Sequence, residues 1–369
     1  MWRPCGPDHG GPPHGTGERM RGMGMVVLAA AVAALGCAGR EGGATDPTAP
    51  GLVAAQDGAG LELVYGLAPL AGSSCRGEAY DGFDFWLGDW SITTPSGSPA
   101  GGSRITREAG GCVVLELYQG GSGRSLSRYD RAGATWHQDY VDATGFTLRL
   151  FGGVTGGAMV MQDSVRAIPN GPALASRFAW TPNGDGTVRQ LWEFSVDGGA
   201  SFFINFDGSY ARQAGYVPPA APAPGSCATR PAQRAADGFL GTWRVATASG
   251  RPLGTSTLSL TTGTCLIEEL FQGAGGYTLR SFLYYDRFVG TWYRAQADNR
   301  ATGARLGGGF AGGTLQLTGQ LPPADSSGTP RLVRLLWTPD GPNALRQRWE
   351  VQQDSTWREL AALRWTRLQ

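Results

Sequence analysis

Two glutamates sit where a carboxylate needs an explanation. Glu116 lies in the apolar stretch Cys112 to Tyr118, and Glu269 in the stretch Cys265 to Phe271. In an extended chain, side chains two apart share a face. Glu116 therefore keeps company with Val114 and Tyr118, and Glu269 with Ile267 and Phe271. A carboxylate on such a wall needs a partner: in one reading it is a structural ion pair or stands at a rim, in the other it orients a bound molecule. Gln138 and Tyr140 alternate with Trp136, and Gln190 with Trp192. Tryptophans rarely stand outward in register on a surface, so these faces are expected to be interior. Glu116, Gln138, Tyr140, Gln190 and Trp192 thus form the expected lining of one ligand site, with two amides and a phenol on an aromatic wall.

The remaining reactive residues point away from catalysis. His137 is the only histidine after the first 36 residues, and it alternates with Trp136 and Gln138. It is expected to face outward as a surface histidine. A Ser-His-Asp triad or a zinc site would need partners that only one half of the chain supplies. No catalytic or metal-binding residue is assigned, and no cofactor is expected. Cys75, Cys112, Cys227 and Cys265 divide two and two, with no Cys-x-x-Cys among them. Four cysteines allow three pairings, and repeat symmetry selects Cys75–Cys112 and Cys227–Cys265; free buried thiols are the alternative.

That symmetry comes from the elements that must position these residues. Leu87, Gly88 and Trp90 become Leu240, Gly241 and Trp243 at an offset of 153, which also carries Cys112 onto Cys265 and Glu116 onto Glu269. Tyr129-Asp130 and Trp136 recur as Tyr285-Asp286 and Trp292. Arg189-Gln190-Leu191-Trp192-Glu193 recurs as Arg346-Gln347-Arg348-Trp349-Glu350. The chain is a tandem duplication, with units at 75–212 and 227–369 and a Pro/Ala linker at 213–226. In the second unit Arg294, Gln296 and Gln347 take the places of Gln138, Tyr140 and Gln190. Glu269 is available there to neutralise Arg294, which implies a self-satisfied core and a narrower cavity. Within each unit the pattern has period two, as in Val188-Gln190-Trp192-Phe194 against Arg189-Leu191-Glu193, which marks strands. Arg189 with Glu193, and Arg346 with Glu350, are expected as solvent-side pairs. Asn183-Gly184-Asp185-Gly186 and Asp340-Gly341 are hairpin turns. The 59 glycines and 23 prolines suit many short strands and tight turns. About eight to ten strands per unit imply a closed antiparallel barrel, which leaves no exposed edge. The fold class is all-β: two tandem barrels joined by a Pro-rich linker.

The chain's start speaks of export. Met20 to Met25 leads into the apolar run Val26 to Leu35, which ends at Gly36-Cys37. A basic start, a short apolar core and a small residue before the break describe a secretory signal, too short to span a bilayer. Ala34-Leu35-Gly36-Cys37 resembles a bacterial lipobox, which implies lipidation at Cys37 and a membrane-anchored, exported protein. Met20 is the better initiator, and residues 1–19 read as sequence upstream of it. Residues 37–74 are rich in Ala, Gly, Thr and Pro and read as a tether. The formal net charge of +1 lacks the basic excess of a nucleic-acid surface.

Phe83-Asp84-Phe85-Trp86-Leu87-Gly88-Asp89-Trp90, then Gly111-Cys112, Tyr129-Asp130 and Trp136, resembles a family of secreted bacterial domains of unknown function with a lipocalin-like barrel. Gly88-Asp89-Trp90 and Gly241-Thr242-Trp243 are also similar to the Gly-x-Trp of lipocalins and calycins. The resemblance implies a late arginine packed over that tryptophan, and the candidates are Arg212 over Trp90 and Arg367 over Trp243. Two functions follow as expectations. One is a non-enzymatic envelope lipoprotein that holds a small apolar ligand, better in the first barrel than in the second. The other is a structural or protein-interaction module whose barrels are filled by their own side chains. A void of several hundred Å³ would favour the first.

Overall fold

The computed structural model describes residues 75–321 and 330–368. The signal region, Cys37 and the tether lie outside the described residues.

Each half of the described chain closes a ten-stranded antiparallel barrel. The first is built from β1 (Gly88–Thr93), β2 (Pro99–Glu108), β3 (Val113–Tyr118), β4 (Gly123–Asp130), β5 (Thr135–Asp142), β6 (Thr147–Thr155), β7 (Ala158–Asp163), β9 (Ala173–Pro182), β10 (Val188–Ser195) and β11 (Phe203–Arg212). β8 (Arg166–Ala167) is a two-residue strand that pairs only with β9. The second comprises β12 (Gly241–Thr247), β13 (Pro252–Thr261), β14 (Leu266–Gly273), β15 (Thr278–Asp286), β16 (Thr291–Asp298), β17 (Gly303–Ala311), β18 (Thr314–Leu321), β19 (Arg331–Pro339), β20 (Ala344–Gln353) and β21 (Thr356–Arg367). Neighbours in sequence are neighbours in the sheet, an up-and-down order that tight turns permit. The Asn183 turn shows how: the Asn183 amide donates to the Thr187 carbonyl at 2.8 Å, and Asp185 Oδ1 accepts from the Thr187 amide at 2.9 Å.

Closure explains the Gly-x-Trp motif. The last strand of each barrel pairs with its first, with Trp90 opposite Arg212 and Trp243 opposite Arg367. The Arg212 guanidinium carbon lies 3.9 Å from the Trp90 ring centre, and that of Arg367 lies 4.2 Å from Trp243. Each arginine also donates to chain carbonyls just before the first strand: Arg212 to Leu87 and Phe85, Arg367 to Leu240 and Gly238. Gly88 (φ +124°) and Gly241 (φ +122°) occupy the left-handed side of backbone space, and a Cβ on either would collide with that guanidinium. The glycine is there so that the arginine fits. Trp90 Nε1 in turn donates to the Trp86 carbonyl at 2.8 Å, and Trp243 Nε1 to Phe239 at 2.9 Å.

A single helical turn precedes each motif, α1 (Glu78–Asp81) and α2 (Pro231–Arg234). Disulfides Cys75–Cys112 and Cys227–Cys265 pin those turns to the barrels, with Cα separations of 4.9 and 5.1 Å. Phe83 and Trp86 follow α1 and plug one end of the first barrel, stacked on each other at 4.8 Å with Trp180 5.3 Å from Phe83.

The two barrels pack against each other, a feature the repeat alone does not announce. Val113, Leu115, Leu126 and Val141 on the outer face of the first form one apolar cluster with Leu266, Phe282, Tyr284 and Ala297 of the second. Around it, equivalent arginines of the two copies each cross to the other copy. Arg149 Nη1 reaches Asp286 at 2.6 Å, while Arg305 holds Asp139 bidentately at 2.8 and 2.9 Å. Arg124 pairs with Glu268 and Arg280 with Glu108, both at 2.8 Å. Tyr284 also donates to Asp139 at 2.6 Å. The arginines and the apolar residues Val113/Leu266, Leu126/Phe282 and Val141/Ala297 are repeat equivalents, whereas the carboxylates that the arginines reach are not. The contact is therefore two-fold in its apolar face and its cations but not in its ion pairs.

Two expectations need correction. His137 is not a surface histidine: it faces outward from its own barrel but under the second one. Burial, with Arg128 and Arg305 nearby, depresses its pKa to about 3. Arg189 does not pair with Glu193 but with Asp207 across the sheet at 2.7 Å, while Glu193 pairs with Arg177 at 2.7 Å. Arg346 reaches Asp340 at 3.3 Å and Glu350 pairs with Arg334 and Arg348. Residues four apart on a strand are about 13 Å apart, too far to bond, whereas cross-strand neighbours touch. The linker lies against the first barrel, where Arg104 Nη2 donates to the Tyr216 carbonyl at 2.6 Å.

Candidate functional site

The first barrel holds a half-open cavity of about 160 Å³. Its lining contains all five residues chosen from the sequence: Glu116 on β3, Gln138 and Tyr140 on β5, and Gln190 and Trp192 on β10. Tyr118, Leu148, Phe178, Trp180, Phe206 and Tyr210 complete it. The void is smaller than several hundred Å³, so it suits a single small ring rather than a drug-sized ligand.

Glu116 is the polar focus. It is 8% exposed, and its two oxygens accept from Ser103 Oγ at 2.7 Å and Ser125 Oγ at 3.2 Å. Register puts them there: Glu116 stands opposite Ser125 on β4, and Ser103 on β2 stands opposite Tyr118. Burial raises the carboxyl to a pKa of about 7, against the smaller opposing pull of the two hydroxyls. The other polar groups are neutral; the amides and two of the phenols are hydrogen-bonded, while Trp180 Nε1 and Trp192 Nε1 are buried without a partner among the described residues. Gln138 Nε2 donates to Ser127 Oγ at 2.9 Å, Tyr210 Oη to Gln190 Oε1 at 2.5 Å, and Tyr118 Oη to the Ala100 carbonyl at 2.7 Å. Burial holds the Tyr140 and Tyr210 phenols well above their ordinary range. Trp180, Phe178 and Trp192 stack in series, each neighbouring pair 5.2 Å apart and within 17° of parallel. Tyr118, Tyr140, Gln190, Trp192 and Phe206 are only partly buried, so the cavity opens to solvent on their side.

No family model matches the sequence. No curated protein matches it either. Among solved structures, the chain is similar to a protein of unknown function from the DUF3598 family of Nostoc punctiforme. The identity is 11%, over 79% of this chain and 100% of that one, with a TM-score of 0.18. A likeness so distant carries no argument about function.

The second barrel supplies a nearer comparison. Glu269 stands opposite Ser281 and accepts from Ser256 at 2.8 Å and Ser281 at 2.7 Å, the same cradle in the same register. Arg294, at the place of Gln138, donates to Glu269 Oε2 at 2.6 Å. Its guanidinium carbon lies 5.3 Å from the ring of Trp337, the counterpart of Trp180. Arg294 is 1% exposed and Glu269 likewise 1%. The expected neutralisation of Arg294 by Glu269 is thus present as a buried ion pair against tryptophan. The core is not fully self-satisfied, since Arg294 Nε and Nη1 are buried without a hydrogen-bond partner among the described residues.

Sequence reasoning did not single out the serine cradle or the outer aromatic wall. The signal for the cradle was available: Ser103 and Ser256 keep the offset of 153, and Ser125 and Ser281 that of 156. Among the described residues no cluster of three or more His, Cys, Asp or Glu is placed to hold a metal ion.

Proposed function

We propose that this protein is a non-enzymatic, exported lipoprotein whose first barrel holds a small, largely apolar molecule. The observation that carries the reading is the 160 Å³ cavity with a buried, serine-cradled carboxyl among aromatic rings. An apolar cavity of about 150 Å³ is enough to take up benzene, so in size this one admits a ligand of at least that class. Two disulfides suit an oxidising, exported setting. Among the described residues no helix is long and apolar enough to cross a membrane, and attachment is assigned to Cys37 and its tether.

Two experiments test this. Calorimetric titration of the full chain with toluene should give saturable binding, lost in Leu148→Trp, which fills the cavity. No saturable heat in a folded protein would move the assignment to a structural module of the envelope. Separately, Cys37→Ser should release the protein from membranes on fractionation; unchanged partition would end the lipoprotein reading.

A further inference from the structure

The two barrels carry the same carboxyl in the same cradle but finish it differently. In the second, a guanidinium from Arg294 sits on Glu269, 5.3 Å from the centre of the Trp337 ring. In the first, Gln138 replaces that arginine and turns aside to Ser127, leaving Glu116 with two hydroxyl donors and no cation. A carboxylate has room for about four donors. Glu116 faces a cavity whose wall includes Trp180, the equivalent of Trp337. Aromatic faces attract cations, more strongly when water is excluded.

We propose that the first barrel binds a small organic cation, an amidinium, guanidinium or primary ammonium on a flat apolar body. Its charged end takes the place on Glu116 that Arg294 takes on Glu269. This rests on the reading of the first barrel as a ligand site and adds the charge of the ligand to it. Without a cation, Glu116 is half-protonated near neutral pH. The titratable side chains that face it from the cavity wall are Tyr118, Tyr140 and Tyr210; Gln138 and Gln190 are neutral, and no other charged group lines the space. Binding a cation therefore favours ionised Glu116, and affinity rises with pH through the neutral range.

The test uses benzamidinium and its near-isostere benzamide, titrated calorimetrically into the full chain, with toluene as the apolar reference. Benzamidinium is expected to bind at least about tenfold more tightly than benzamide, the difference charge assistance makes. Glu116→Gln should abolish that advantage while benzamide binding persists. Gln138→Arg should fold normally, seat its guanidinium on Glu116 and exclude benzamidinium. Equal affinities for the two probes, an advantage that survives Glu116→Gln, or undiminished benzamidinium binding by folded Gln138→Arg would each overturn the proposal. If toluene and benzamide bind and benzamidinium does not, the cation falls and the ligand site stands. If none of the three binds, both fall.

Discussion

Glu116 makes a prediction about stability that needs no ligand. The perturbation is Glu116→Gln, which keeps the shape and lets the amide oxygen accept from Ser103 while its NH₂ donates to Ser125 Oγ. In the wild type, burial raises the carboxyl from 4.5 to about 7. An acid whose pKa is raised in the folded state binds its proton more tightly there. Its contribution to stability is therefore complete below pH 4.5 and is lost as pH rises through about 7. Each tenfold gain in proton affinity is worth about 1.36 kcal/mol, so the loss amounts to about 3 kcal/mol by about pH 8. The glutamine variant has nothing to ionise. The stability of Glu116→Gln relative to wild type should thus climb by about 3 kcal/mol from about pH 5 to about pH 8, leaving the variant the more stable protein at the alkaline end. Urea unfolding followed by tryptophan fluorescence at several pH values measures this, and taking the difference removes other titrating groups such as Asp298. A flat difference, or one that falls with pH, would refute the buried, cation-free environment assigned to Glu116.

Other perturbations probe closure, cross-links and the inter-barrel contact. Arg212→Ala should cost about 0.5–2 kcal/mol for the lost contact with Trp90 plus its carbonyl bonds. Arg212→Lys should recover little, because an ammonium cannot fork and stack; full recovery in a thermal melt would count against the geometry. Paired Cys227→Ser and Cys265→Ser should lower stability by about 3–4 kcal/mol, the cost of opening a loop of this length, and mass mapping of the unreduced wild type should join those two cysteines. Asp139→Ala leaves Arg305 and Tyr284 without their shared acceptor and should cost about 3–5 kcal/mol. A loss below about 1 kcal/mol in denaturant unfolding would mean that the contact between the barrels is weak.

The barrel interior was legible in the sequence because a strand has period two and tryptophan marks the inside. Trp136 fixed the side of Gln138 and Tyr140, and Trp192 that of Gln190; the two amides, the phenol and Trp192 all line one space. The disulfides were legible because duplication had already counted the alternatives. What alternation conceals is the outer face. Val113, Leu115, Leu126 and Val141 are apolar on the side away from the cavity, so β3 reads as a nearly continuous apolar run. Such a run belongs to a sheet covered on both faces. His137 was misplaced for the same reason, since outward from one barrel is inward to the pair. The ion pairs were misassigned because positions four apart on one strand are too distant to meet, and Arg177, Asp207 and Arg334 reach Glu193, Arg189 and Glu350 from the neighbouring strand.

The interface bears on how such a chain can change over generations. Once Phe282 and Tyr284 of one copy had settled against Leu115 and Leu126 of the other, deletion of either copy would expose an apolar face and strand several arginines and carboxylates. The duplication is therefore a ratchet: the two copies are kept or lost as one piece. Under that constraint the two interiors are free to diverge without either copy being shed, as the arginine on Glu269 and the glutamine beside Glu116 already have.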